Sequence, residues 1–126
     1  MTSKNLVIGI GCRKGKTLEE VEAAVLLALV NRSLDEVRLV TSIDAKAEEP
    51  GLLDFCHKYN LPVIFFSKTF INNAIEVSET SEWVYQSVGV EAVCEPCALA
   101  GSINGKLIVT KMVHQGVTVA IAQDSE

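Results

Sequence analysis

Apolar residues recur along the chain in two alternating periods. Leu6-Val7-Ile8-Gly9-Ile10 is short and nearly continuous, the pattern of a buried strand. Beyond it the period lengthens. Leu18, Val21, Val25 and Ala28 fall at steps of three and four, which predicts a helix from a Thr17 cap to about Asn31. Thr17-Leu18-Glu19-Glu20 is a capping-box pattern, and Glu19, Glu20 and Glu22 place negative charge where the helix dipole favours it. Glu36 to Ile43 predicts a second strand, with Val37, Leu39 and Thr41 on one side and Val40 and Ser42 on the other. Lys46 to Tyr59 holds a second helix that starts near Glu48, since Pro50 is tolerated only in a first turn. Leu61 to Phe66 is a third strand with Pro62 at its start, where a missing N–H does least harm.

The second half is less regular. A short helical piece is expected after Ser67, then a helix over Thr80 to Ser87 with Gly89 as its stop. Val90 to Val93 predicts a short strand, and Glu95 to Ala100 one or two helical turns. Lys106 to Thr110 and Val117 to Ala122 are the last strands. Only Lys111 to Gly116 separates them, which predicts an antiparallel hairpin. Strands alternating with helices predict a three-layer α/β/α fold, one domain over residues 1–126. Its sheet is expected to be mixed, mostly parallel, and to end in the hairpin.

At 126 residues, 48% apolar and 21% charged, the chain has the composition of an ordinary globular domain with a real core. No apolar run approaches the ~20 residues that span a bilayer, and Met1 leads straight into a strand pattern without signal-peptide architecture. A cytoplasmic protein with four reduced cysteines is therefore expected, with no membrane partner. The net charge of −5 argues against broad nucleic-acid binding.

That charge is unevenly spread. The first sixteen residues hold Lys4, Arg13, Lys14 and Lys16 and no acidic side chain, so they carry +4 and leave −9 on residues 17–126. The island centres on Gly9-Ile-Gly11-Cys12-Arg13-Lys14-Gly15-Lys16, between a strand and a helix. Glycines admit close backbone approach, and N–H groups with a helix dipole favour anions. The spacing fits neither a P-loop nor a dinucleotide fingerprint, and a lysine-solvated tight turn is the plainer alternative.

In open α/β sheets ligands bind beyond the carboxyl ends of the strands. Three segments should converge there: Gly9 to Lys16, Thr41 to Leu52, and Val93 to Ala98. Gly9, Gly11, Cys12, Arg13, Lys14, Gly15, Ser42 and Glu49 are the candidate substrate-binding residues. Glu95 is the candidate general acid or base, and Lys46 would hold a carboxylate or a developing oxyanion. Both could equally be ordinary surface charges. Cys94-x-x-Cys97 admits a redox or metal reading beside a packing one. A zinc site needs about two further ligands, and Cys12, Cys56, His57 and His114 are scattered, so no metal or cofactor is expected.

The motif Gly9-Ile-Gly-Cys-Arg13-Lys-Gly15 is joined by Ser42, Lys46, Glu49-Pro-Gly-Leu52 and Ser81-Glu82. Further along come Gly89-Val90, Val93-Cys-Glu-Pro96, Ala98-Leu99, Gly101-Ser102, Leu107-Ile108, Lys111 and Gly116-Val-Thr-Val-Ala120. In order and spacing these resemble the CobE family of cobalamin biosynthesis, equivalent to the C-terminal domain of CbiG. The resemblance covers almost the whole chain. It implies an α/β domain acting in corrin-ring assembly, with a polycarboxylate tetrapyrrole (a cobalt-precorrin) as ligand and other corrin-pathway proteins as candidate partners. CbiG proteins are associated with opening the δ-lactone of cobalt-precorrin-5A, with loss of a two-carbon fragment as acetaldehyde. In that chemistry Glu95 would serve as acid or base, with Lys46 or Arg13 at the oxyanion. Nothing before Met1 could form the CbiG N-terminal domain, so a stand-alone CobE-type protein or separately made C-terminal domain is expected. The alternatives are a non-catalytic tetrapyrrole-binding or partner module and, on Cys94 and Cys97 alone, a thiol redox protein.

Overall fold

The computed structural model describes residues 4–12, 14–44, 47–67, 69–71 and 94–125. Its strands are β1 (Leu6–Cys12), β2 (Val37–Ile43), β3 (Val63–Phe66), β4 (Lys106–His114) and β5 (Val117–Gln123). Its helices are α1 (Leu18–Leu29), α2 (Pro50–Lys58) and α3 (Cys94–Gly101), with a 3₁₀ turn over Leu34–Glu36. The expected helix over Thr80 to Ser87 and strand over Val90 to Val93 lie outside the described residues.

The strand order is β3-β2-β1-β5-β4. β1, β2 and β3 are parallel, while β5 runs antiparallel to both β1 and β4. The sheet is therefore mixed, with three parallel strands and the expected terminal hairpin. β1 lies in the middle, and all seven of its residues are buried. Even-numbered β1 residues (Leu6, Ile8, Ile10, Cys12) pack with α1, α2 and Val117, Val119 and Ile121 of β5 in the main core. The other face carries α3, whose Gly101 sits against Val7, Leu39 and Thr41. A smaller apolar cluster of Ile43, Ile71 and Cys97 lies apart from the main core.

Local chemistry sets most boundaries. The capping box of α1 forms as the pattern predicts. The Glu20 N–H donates to Thr17 Oγ1 at 3.2 Å, and the Thr17 N–H donates to Glu20 Oε1 at 3.0 Å. The helix ends at Leu29, two residues before the expected stop, because Val30 adopts φ 59°. α2 starts at Pro50, where the absent N–H costs nothing. After Ser67, residues 69–71 are helical, and the Phe70 N–H donates to Ser67 Oγ at 3.0 Å.

The hairpin differs from expectation in one respect. β4 continues through Lys111 to His114, so the connection shrinks from six residues to Gln115-Gly116, both at positive φ (51° and 80°). Two consecutive positive-φ residues suit the twist of a two-residue hairpin. The sequence hid this because β4 is an edge strand with irregular pairing between Leu107 and Val109 and between Val109 and Met112, which breaks the alternation.

Candidate functional site

The basic turn emerges from the carboxyl end of β1, as the topology requires. Gly15 adopts φ 87°, a left-handed conformation that an L side chain would strain, and it presents its N–H across to α2. The Glu49 carboxylate accepts that N–H at 3.2 Å. Glu49 is the N-cap residue of α2, yet its side chain makes no bond to its own helix. Two residues on, Gly51 packs on the Lys16 backbone so closely that a Cβ there would lie 2.1 Å from the Lys16 carbonyl oxygen. The first and second predicted segments thus meet, and a backbone contact fixes their spacing.

The turn's charges are partly engaged by the chain itself. Lys16 Nζ lies 3.5 Å from Glu20 Oε2, and the Thr17 N–H bonds the other Glu20 oxygen. The hydrogen bond from the Thr17 backbone and the charge of Lys16 hold the Glu20 carboxyl below its ordinary range. Lys14 is exposed and has no ion-pair partner among the described residues. Arg13 and Lys46 lie outside the described residues.

Other candidates form the floor. Ser42 is fully buried and its hydroxyl donates to Ile10 O at 2.7 Å, so it braces β2 against β1 and presents no polar atom outward. Gly9 is equally committed: a Cβ would lie 1.9 Å from the Cys94 carbonyl oxygen, so the absent side chain serves the seating of α3. Gly11 offers its carbonyl to the buried Thr118 hydroxyl at 3.1 Å. Cys12 ends β1 opposite Val117 and is buried. Thr118 was missed by sequence reasoning, although a lone hydroxyl within Val117-Thr-Val-Ala was its available signal.

The third segment reaches β1 from the opposite face. The N-terminal turn of α3 rests on Gly9, and Glu95 is half-buried, its carboxylate accepting the Lys111 N–H at 2.8 Å. That N–H lies within the irregular stretch of β4, so Glu95 satisfies a donor the ladder leaves over. Glu95 and the Gly15–Glu49 contact therefore flank β1 from different faces of the sheet. Helix-start position alone does not activate the neighbouring thiols. Burial pushes Cys94 up to about 11, against the pull of the Thr118 hydroxyl, and pushes Cys97 up to about 12. Cys56 is likewise raised by burial, to about 11. Burial disfavours the thiolate form of all three, which argues against the thiol-redox reading. Among the described residues no disulfide joins the cysteines, and no three His, Cys, Asp or Glu cluster as metal ligands.

The amino end of the sheet holds a different arrangement, not anticipated from sequence. Arg38 grips Asp124 with two bonds, Nε to Oδ2 at 2.7 Å and Nη2 to Oδ1 at 3.0 Å, and Nη2 also donates to Gly101 O at 2.9 Å. Asp124 Oδ1 accepts the Ile103 N–H at 2.8 Å as well. One ion pair ties β2, the end of α3 and the residue after β5 together. No helix among the described residues is long and apolar enough to cross a membrane.

With this geometry established, similarity to known proteins is informative. A family model described as cobalamin synthesis G C-terminus matches residues 6–122. Protein CobE of a Sinorhizobium species is 36% identical over 121 residues, covering 93% of this chain and 79% of that protein. Cobalt-precorrin-5A hydrolase of Priestia megaterium is 31% identical over 121 residues, covering 94% of this chain but 32% of the hydrolase. The chain thus spans about a third of that relative's length. The crystal structure of CobE, a protein from the cobalamin (vitamin B12) biosynthetic pathway, superposes with a TM-score of 0.77 at 28% identity. The match covers 94% of this chain and 89% of that one.

Proposed function

The chain belongs to the cobalamin synthesis G C-terminus family of cobalamin biosynthesis, and from that premise we propose that it binds a polycarboxylate corrin-ring intermediate at the carboxyl end of β1. One observation carries the reading: the basic turn already holds a carboxylate, its own Glu49, on the Gly15 N–H. A backbone donor aimed by a left-handed glycine, beside the exposed ammonium of Lys14, suits the acetate and propionate groups of a precorrin. Arg13 and Lys46, which flank the described parts of the site in sequence, would add two further cations.

A second reading is favoured by the name of the Priestia relative: opening of the δ-lactone of cobalt-precorrin-5A. Water adds to the acyl carbon, the ring C–O bond breaks and a proton reaches the departing oxygen. The freed hydroxyl then gives up its proton as its carbon becomes the carbonyl of acetaldehyde, and the C–C bond to the macrocycle breaks with its electron pair remaining on the macrocycle. Glu95 would accept the proton from water and Lys46 would face the developing oxyanion. Because the Glu95 carboxylate bonds the Lys111 N–H, one of its oxygens is held in place and the other is left for water. One experiment separates the readings. The chain is titrated with cobalt-precorrin-5A, and acetaldehyde is then measured. Binding without acetaldehyde supports a binding module. Acetaldehyde that disappears in Glu95→Gln while binding persists supports hydrolysis. Absence of binding at low salt rejects both.

A further inference from the structure

Glu49 occupies the feature through which the turn would hold a ligand. Its backbone is extended (φ −75°, ψ 112°), its side chain ignores its own helix, and its carboxylate crosses to a donor 34 residues earlier. Free drift of the two segments does not explain this, since Gly51 is seated directly on the Lys16 carbonyl. The second acidic group of the turn, Glu20, is committed to the α1 capping box and to Lys16. Glu49 has no such intrahelical partner. It is half-buried and, among the described residues, its carboxylate bonds a neutral donor, a contact of modest net worth in a region open to water.

Two carboxylates placed on one N–H repel each other and leave one without its bond. A ligand carboxylate therefore reaches the Gly15 N–H only as Glu49 leaves it. For a small monocarboxylate the exchange is nearly neutral: one carboxylate–amide bond replaces another, and the ligand loses its freedom of movement. A ligand with several carboxylates gains more, because its other groups engage the exposed Lys14 while the first displaces Glu49. We infer that Glu49 is a specificity-determining residue, an internal carboxylate that occupies the basic turn in the free protein and yields only to polycarboxylate ligands. This rests on the ligand reading above and adds to it a mechanism for rejecting the cell's abundant small carboxylates.

The test uses the whole chain and three probes: dicyanocobyrinic acid, with its acetate and propionate groups free, its fully esterified form, and acetate. Glu49→Gln keeps the shape of the side chain and removes its charge. Affinity of the variant for the free corrin acid should rise by roughly three- to tenfold at low salt. The ester should bind neither protein at the turn, and acetate should register only with the variant. In ¹⁵N spectra the Gly15 amide signal should move on substitution and, in the wild type, on addition of the corrin acid. If the wild type binds the acid and the variant binds it equally or more weakly, the inference fails and the ligand reading stands. If neither protein binds the acid, both fall together.

Discussion

At the amino end of the sheet two full charges meet, while at the carboxyl end carboxylates meet backbone amides. Arg38 and Asp124 form a bidentate pair with side chains 32% and 12% exposed, and two backbone groups complete the network. Glu49 accepts a neutral N–H, and the exposed Lys14 has no ion-pair partner among the described residues. The first arrangement pairs both charges and holds three segments in one geometry. The second leaves positive charge uncompensated and a bond that can be exchanged. The same residue types build a clamp at one end and a receptive surface at the other. The difference lies in whether cation and anion are aimed at each other.

The largest expected effect comes from the seat between the two ends. Gly9→Ala places a methyl group 1.9 Å from the Cys94 carbonyl oxygen, inside a contact between β1 and α3 backbone that neither can relieve alone. Loss of about 3 kcal/mol is expected, read as a lower urea midpoint at unchanged slope. A stability within experimental error of wild type would show that α3 is not held in this way.

Breaking the clamp should cost less and leave the other end unchanged. Asp124→Asn removes the charge that Arg38 faces, and about 2 kcal/mol of stability should go with it while corrin binding stays the same. Arg38 also holds the Asp124 carboxyl below its ordinary range, chiefly through their hydrogen bonds. A folded value below the unfolded one means that the contribution is complete above about pH 4 and is lost as pH falls through the folded value. The wild-type urea midpoint should therefore fall more steeply than that of Asp124→Asn between pH 5 and 3, by rough expectation from carboxylate titration. Parallel curves would deny the clamp its charge.

Lys14→Ala probes the receptive end in the opposite sense. Affinity for a corrin polyacid should drop by roughly threefold to tenfold at low salt and converge with wild type at high salt, with no shift in melting temperature. The smallest signal is expected from the thiols. Cys94 and Cys97, near 11 and 12, should resist alkylation in the native protein at pH 8, and all four cysteines should react in denaturant. Rapid native labelling of either residue would restore the redox reading.

Much of this architecture is written in short-range pattern. The α1 capping box, the buried run of β1, the first-turn Pro50 and the terminal hairpin all follow from local rules, and the structure realises each. The family too was legible, because its motifs span nearly the whole chain. Side-chain direction was less so. Ser42 and Gly9 carry the right signals for a site, yet one points its hydroxyl at a β1 carbonyl and the other makes room for a helix on the far face. Glu49 was legible as a candidate binding residue and Glu95 as a candidate acid or base, but neither position announces the sequence-distant backbone N–H that its carboxylate bonds. The Arg38–Asp124 pair, 86 residues apart, has no local signature at all. Tertiary pairing decides such contacts, and spacing within a segment carries no information about them.

The placement of β5 beside β1 governs how the chain can come to be folded. Thr118 bonds Gly11 across 107 residues, so β1 acquires its second neighbour only once residues 117–123 are available. Until then β1 has an open edge and α1 lacks the wall that Val117, Val119 and Ile121 provide. A chain available only to residue 116 would therefore hold β1, buried throughout in the native fold, unpaired on one side. Such long-range closure slows folding and prolongs exposure of that edge, which makes the arrival of β5 the step that completes the sheet around β1.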